Sequence, residues 1–363
     1  NVLCLSEAKG MDIIMKKIGI IGFGYMGNYH YEKVSHFKDI TVTCAFDTAA
    51  DKLLDAREKG LKVHDTLSGF LQEDIDLVVI ATPNQWHEKY AVASMEMGKN
   101  VLCEKPATMS VKELENIANI SMKTGTFFTV HQQRRFDPDY RVVKKFVENG
   151  DIGKITTIES RVLGERGVCF GWRADPNSGG GMLRDWGVHL IDQILQLYPT
   201  EKVVSIYARV LSVLTPAVDD LFEITLNLSN GICAKINVGT FVLQKLPRWF
   251  VFGDRGTLKL DDFSGVKGGA ARIKGDVHGF ESVVGQKALG PSRTMAPLKP
   301  EYIENLELPI VKDMTLEYWR NIVETLKGHE KPYVTMNQIM RQMRIVEAAF
   351  LSAQKDEVIK TVI

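Results

Sequence analysis

No stretch of this 363-residue chain reaches the roughly 18 to 20 consecutive apolar residues that a membrane-crossing helix requires. Net charge is equally absent, since 45 Lys and Arg balance 45 Asp and Glu. No broad field therefore draws the chain to nucleic acid or an anionic membrane, and a small, locally recognised ligand is expected instead. Cysteine is sparse: Cys4, Cys44, Cys103, Cys169 and Cys233 stand far apart without a C-x-x-C pair. That usage points to a reducing, cytoplasmic setting and argues against a thiolate zinc site. The opening NVLCLSEAKGMDIIM lacks a basic start followed by a sustained apolar stretch, so it does not read as a signal peptide. No repeat of roughly 20 to 50 residues is visible.

What is present is globular: 45% hydrophobic and 25% charged residues, over a length suited to two domains. The pattern predicts an extension over 1–15, a nucleotide-type α/β domain over 16–134, and an α+β domain over 135–363. From KKIGII onward, short apolar runs alternate with helical stretches, which implies right-handed βαβ units and a parallel sheet. LVVIA, from Leu77 to Ala81, is apolar on both faces, as a central parallel strand should be. After His131 long β runs take over, and Phe222, Ile224, Leu226 and Leu228 alternate with polar neighbours, the period of a half-buried antiparallel strand. A large, predominantly antiparallel open sheet with helices on one face is expected there. Residues 264–300 read as a long irregular insertion or lid, followed by two closing helices.

Gly22-Phe23-Gly24-Tyr25-Met26-Gly27 fits G-x-G-x-x-G directly after the first strand. Its glycines permit a tight turn, close approach of a pyrophosphate, and close packing of helix on strand. Asp47 follows Gly27 by 20 residues, at the end of the second strand, where a carboxylate binds ribose hydroxyls and repels a 2′-phosphate. NAD is expected over NADP. The alternative role for Asp47 is to cap the next helix with Thr48. Thr82, Pro83 and Asn84 sit at the carboxyl end of the central strand, where open α/β sheets bind ligands, with His87 one turn on.

Glu104-Lys105-Pro106 closes a further strand at the same edge. A lysine desolvated there beside a cation loosens its hold on a proton and can exchange it with a substrate hydroxyl; otherwise it is a solvated strand end. In SGGGMLRDWGVHLID, a regular helix would place Asp185, His189 and Asp192 on one face. A histidine beside a carboxylate carries protons near neutrality. A surface ion pair and an Asp/His metal site compete with that reading, and no further metal ligand is identifiable.

Together GFGYMG, Asp47, ATPNQWH, CEKP, HQQRRFDPDY and WRADPNSGGGMLRDWGVHLID resemble the glucose-fructose oxidoreductase / inositol dehydrogenase / MocA family of NAD(P)-dependent oxidoreductases, from Lys16 to the C-terminus. The resemblance implies that Lys105 is the catalytic lysine, His189 the proton-transfer histidine, and Asp185 its substrate-positioning partner. It further implies cofactor contacts at Thr82, Pro83, Asn84, His87, Glu104, Lys105, Trp172 and Arg173. Arg134, in the RRF turn, is a candidate substrate or cofactor contact. HQQRRFDPDY and WRADPNSGGG resemble the branch containing scyllo-inositol dehydrogenases, whereas RVLGERGVCF matches no assignable pattern. The implied activity is hydride transfer between NAD and a secondary hydroxyl of a cyclic polyol, sugar or sugar derivative. Redox-neutral sugar processing by tightly held NAD, and a non-enzymatic sensor, are the alternatives. A homodimer or homotetramer paired through the C-terminal sheet is also implied.

Overall fold

The computed structural model describes residues 15–167, 169–276, 280, 283–287, 289–293 and 295–363. Most of the expected N-terminal extension lies outside the described residues. The first unit contains β1 (Lys16–Ile21), α1 (Tyr25–Val34), β2 (Ile40–Phe46), α2 (Ala50–Glu58), β3 (Lys62–His64) and α3 (Leu67–Leu71). It continues through β4 (Leu77–Ile80), α4 (His87–Glu96), β5 (Asn100–Cys103), α5 (Val111–Thr124) and β6 (Phe128–Val130). The six strands run in the order β3-β2-β1-β4-β5-β6, and every pair is parallel. All four residues of β4 are buried, because helices cover both faces of a doubly wound sheet. The order reverses between β1 and β4, which opens a crevice at their carboxyl ends.

The chain then forms α6 (Pro138–Asn149), β7 (Ile155–Leu163), α7 (Val188–Leu197), β8 (Val203–Leu211), β9 (Leu221–Leu228), β10 (Cys233–Gly239) and β11 (Trp249–Gly253). There follow β12 (Gly256–Leu260), β13 (Gly268–Ile273), a small hairpin of β14 (Gly285–Lys287) and β15 (Gly290–Ser292), and β16 (Ile303–Leu306). The chain closes with α8 (Glu317–Leu326), α9 (Met336–Lys355) and β17 (Ile359–Lys360). Nine strands make one open sheet, β16-β13-β12-β11-β7-β10-β9-β8-β17. Its pairs are antiparallel except β7 with β10. Phe222, Ile224, Leu226 and Leu228 are buried as their alternation requires.

Two expectations are corrected. Residues 264–300 are not one irregular loop, because Gly268–Ile273 is a full strand of the large sheet, paired with β12 and β16. Glycine hid it: Gly268 lies at φ +145°, and a Cβ there would meet the Lys259 carbonyl oxygen at 2.0 Å. A glycine-rich run has low strand propensity, but here close approach of the neighbouring backbone requires glycine.

The single boundary at 134/135 is also corrected. Tyr318, Trp319, Ile322 and Val323 of α8, with Ile339 and Met343 of α9, are buried in the core of the first unit. Further along α9, Ile345, Val346 and Ala349 are buried in the second core. The Tyr318 hydroxyl donates to the Val130 carbonyl at 2.6 Å, and the Thr129 hydroxyl to that of Val334 at 2.8 Å. The chain thus returns to its first half, and α9 spans both cores.

Candidate active site

The glycine loop after β1 is shaped by contacts that admit no side chain. Gly22 has φ +88°, and a Cβ on it would meet the Ala81 carbonyl oxygen at 2.6 Å; on Gly27 it would meet the Gly22 oxygen at 2.2 Å. A Cβ on Gly24 would meet nothing within 4 Å, so the chain there faces open space. Phe23 is buried, Met26 is half-buried, and Tyr25 is exposed at the head of α1, whose first-turn amides lack intrahelical acceptors. The Thr82 hydroxyl, beside Gly22, is buried with no partner among the described residues. An open glycine cradle, unpaired amides and an orphaned hydroxyl at the strand-order reversal fit a dinucleotide phosphate bridge. Asp47 lies at the end of β2 and accepts hydrogen bonds from the Phe23 amide at 2.8 Å and the Ala49 amide at 2.9 Å. It shapes the turn before α2 without capping the helix, whose N-cap is Ala49. Each oxygen keeps a lone pair for a ribose hydroxyl.

The catalytic candidates converge at the same edge. Lys105 follows β5 and is joined to Pro106 by a cis peptide bond. Its ammonium donates to the Asp185 carbonyl at 2.8 Å and to Asp185 Oδ1 at 2.5 Å. Arg173 Nε donates to Asp185 Oδ2 at 3.2 Å, while its guanidinium lies 4.5 Å from the Trp172 ring centroid. Burial favours a protonated Asp185, but Lys105 and Arg173 outweigh it and hold the carboxyl below its usual range. His189 is buried, and its affinity for a proton falls well below the ordinary imidazole value, first through burial and then through the charges of Lys105 and Arg134.

The expected pairing of His189 with a carboxylate is corrected. Leu183–Gly187 is a π-helical turn leading into α7. A π turn bonds i to i+5 and takes more residues per revolution, so a four-residue spacing no longer aligns. Asp185 consequently goes to Lys105 and Arg173, and Asp192 to Arg135 through two bonds of 2.7 Å. His189 Nδ1 instead meets Gln132 Oε1 at 3.0 Å.

Three residues expected at the cofactor turn their side chains elsewhere. Asn84 donates to the Gly179 carbonyl at 2.8 Å, pinning the ATPN turn to the SGGG segment. His87 is buried between the Pro106 and Thr82 carbonyls, at 2.8 and 3.1 Å. Glu104 Oε1 lies 2.9 Å from His30 Nε2 and 2.8 Å from His131 Nδ1. Burial would raise the Glu104 carboxyl, but His131 and His30 outweigh it and hold it well below its ordinary value. Arg134 pairs with Asp137 at 2.9 Å and stacks 4.1 Å from the centroid of Trp186, whose ring lies 6.2 Å from that of His189. Gln132, His30 and His131 were not singled out from sequence. His131 directly follows β6 at the carboxyl edge, which was an available signal, whereas His30 is an unmarked position in α1.

This fold and site define a two-unit oxidoreductase with a Rossmann nucleotide-binding half. Residues 16–132 match the oxidoreductase family with an NAD-binding Rossmann fold, and residues 140–259 match the GFO/IDH/MocA C-terminal domain. The chain belongs to the Gfo/Idh/MocA oxidoreductase family. A crystal structure of an NAD-binding protein from Listeria innocua is 34% identical with a TM-score of 0.90, covering 96% of this chain and 99% of that one. The scyllo-inositol 2-dehydrogenase (NADP(+)) IolW of Bacillus subtilis is 25% identical, over 94% of this chain and 95% of its own. The inositol 2-dehydrogenase of Rhodococcus erythropolis is 33% identical over 38% of this chain and 41% of its own. No helix among the described residues is long and apolar enough to cross a membrane.

Proposed function

We propose that this protein is an NAD-dependent dehydrogenase acting on a secondary hydroxyl of a cyclic polyol, sugar or sugar derivative. The observation that carries this reading is the Lys105 ammonium, held against both the carbonyl and the carboxylate of Asp185 beside the buried, neutral His189. A bound nicotinamide supplies hydride acceptance or donation. Gly22, Gly24 and Gly27 with the head of α1 hold its phosphates, Asp47 its adenosine ribose, and Thr82 and Pro83 line the crevice. Lys105 contacts the reacting hydroxyl and exchanges its proton, Asp185 fixes the direction of that ammonium, and Nε2 of His189, which has no partner among the described residues, passes the proton on. Trp172 and Arg173 would border the nicotinamide and Arg134 the substrate. Asp47 favours NAD, since a carboxylate repels a 2′-phosphate. The relatives named as inositol dehydrogenases support the polyol class.

The protein works in the cytoplasm as a homodimer or homotetramer built on the open face of its nine-stranded sheet, where Arg209 and Asn237 reach Glu223. The function is tested by following reduced nicotinamide absorbance across inositols, aldoses, sugar acids and amino sugars, with NAD and NADP in parallel. Substrate-dependent NADH supports the proposal. Silence from protein that still binds NAD contradicts it and leaves the redox-neutral reading.

A further inference from the structure

The hydrogen bond of His189 to Gln132 is the first link of a closed circuit. Gln132 Nε2 lies 3.3 Å from Gln342 Oε1, and Gln342 Nε2 lies 2.5 Å from the carbonyl oxygen of Val188, the residue preceding His189. All three side chains are almost wholly buried, at 3% exposure for His189, 2% for Gln132 and 1% for Gln342. They come from three elements: α7, the segment after β6, and α9, the helix that spans both cores.

The direction of this circuit is fixed by its one invariant group. A backbone carbonyl can only accept, so Gln342 must present its NH2 to Val188 and its oxygen to Gln132. Gln132 must then donate to Gln342 and turn its own oxygen to His189. An oxygen facing Nδ1 requires Nδ1 to carry the proton. Reversing either amide would set buried oxygen against oxygen. We infer that Gln132 and Gln342 are positioning residues that lock His189 in the Nδ1–H tautomer, leaving Nε2 as a permanent proton acceptor toward the substrate. The role of Nε2 rests on the proposed dehydrogenase reading; the tautomer lock does not.

Neutral acceptors suit this purpose. The carboxylates that could have oriented the ring are engaged, Asp185 by Lys105 and Arg173 and Asp192 by Arg135. An amide sets the tautomer without the charge that would draw a second proton onto the ring. The titratable groups that bear most on His189 are Lys105, Arg134, Glu104 and His131, and none is among its hydrogen-bond partners among the described residues.

Full-length protein carrying [15N]histidine is compared by NMR with its His189→Gln variant to assign the His189 ring, without substrate or cofactor. The expected signature at neutral pH is a protonated Nδ1 and a bare Nε2. Gln342→Met is expected to give mixed tautomers and a roughly tenfold loss in kcat, with the KM for NAD unchanged. Gln132→Met removes the acceptor at Nδ1 and is likewise expected to give mixed tautomers. A bare Nδ1 in the wild type overturns the inference even if a variant fails to fold, as does a pure Nδ1–H signal in Gln342→Met. Because the spectrum needs no turnover, an error in the dehydrogenase reading shows only in the kinetics.

Discussion

Lys105 and Asp185 meet twice, the ammonium of one bonded to both the carbonyl and the carboxylate of the other at 2.8 and 2.5 Å. Lys105 comes from the edge of the parallel sheet and Asp185 from the π turn of the second unit. Two bonds to one residue fix the direction of an otherwise flexible four-carbon side chain. Lys105→Met is expected to lower kcat by about 1000-fold, and Asp185→Asn by about 100-fold. NAD affinity by calorimetry should change little in either. A near-normal kcat in Lys105→Met would remove the lysine from the chemistry.

Coenzyme choice is predicted to reside in Asp47. Asp47→Ser is expected to raise the KM for NAD roughly tenfold and to improve kcat/KM for NADP, by removing both a ribose acceptor and a repelling charge. Because Asp47 also holds the Phe23 and Ala49 amides, serine, which can still accept a backbone hydrogen bond, is the appropriate replacement. Selectivity that does not move would confine Asp47 to the turn.

For His189 the sign is set by a folded-state proton affinity well below that of a free imidazole. Such a group contributes stability that is complete above the unfolded value of about 6.5 and is lost as the pH falls below it. Wild type should therefore lose melting temperature faster than His189→Gln between about pH 6.5 and 5. Parallel curves would mean that folding leaves the proton affinity of His189 unchanged.

Asp219 has the opposite sign. It accepts the Leu183 amide at 2.7 Å, directly under the π turn, and burial pushes its carboxyl up to about 6. Its contribution is present below the unfolded value of about 3.9 and is lost as the pH rises through 6, a change on the order of 2–3 kcal/mol. Asp219→Asn should therefore gain melting temperature relative to wild type between pH 5 and 7. A constant difference across that range would contradict the burial argument.

The parallel half was legible because periodicity and glycine placement are local signals. LVVIA, GFGYMG and Asp47 each stand where the strand order puts them. The alternation in β9 was equally readable. What escaped reading depends on contacts between distant segments. The glycines of β13 hid a strand whose reason is the closeness of β12. The return of α8 to the first core is invisible to a linear reading of domains. In the candidate site the side-chain partners were not legible, since one π turn sends Asp185 to Lys105 and leaves His189 to an amide. Asn84 turns to Gly179, His87 to Pro106 and Thr82, and Glu104 to His30 and His131, partners that are distant in sequence or unmarked by any motif.

The central claim, hydride transfer from a substrate carbon, is tested most directly with a polyol deuterated at its secondary carbinol carbons. It is incubated with enzyme and NAD, and the nicotinamide is then analysed by mass spectrometry. One deuterium is expected on the nicotinamide ring of newly formed NADH in wild type, with labelled NADH forming about 1000-fold more slowly in Lys105→Met. Unlabelled nicotinamide alongside a transformed substrate would contradict it.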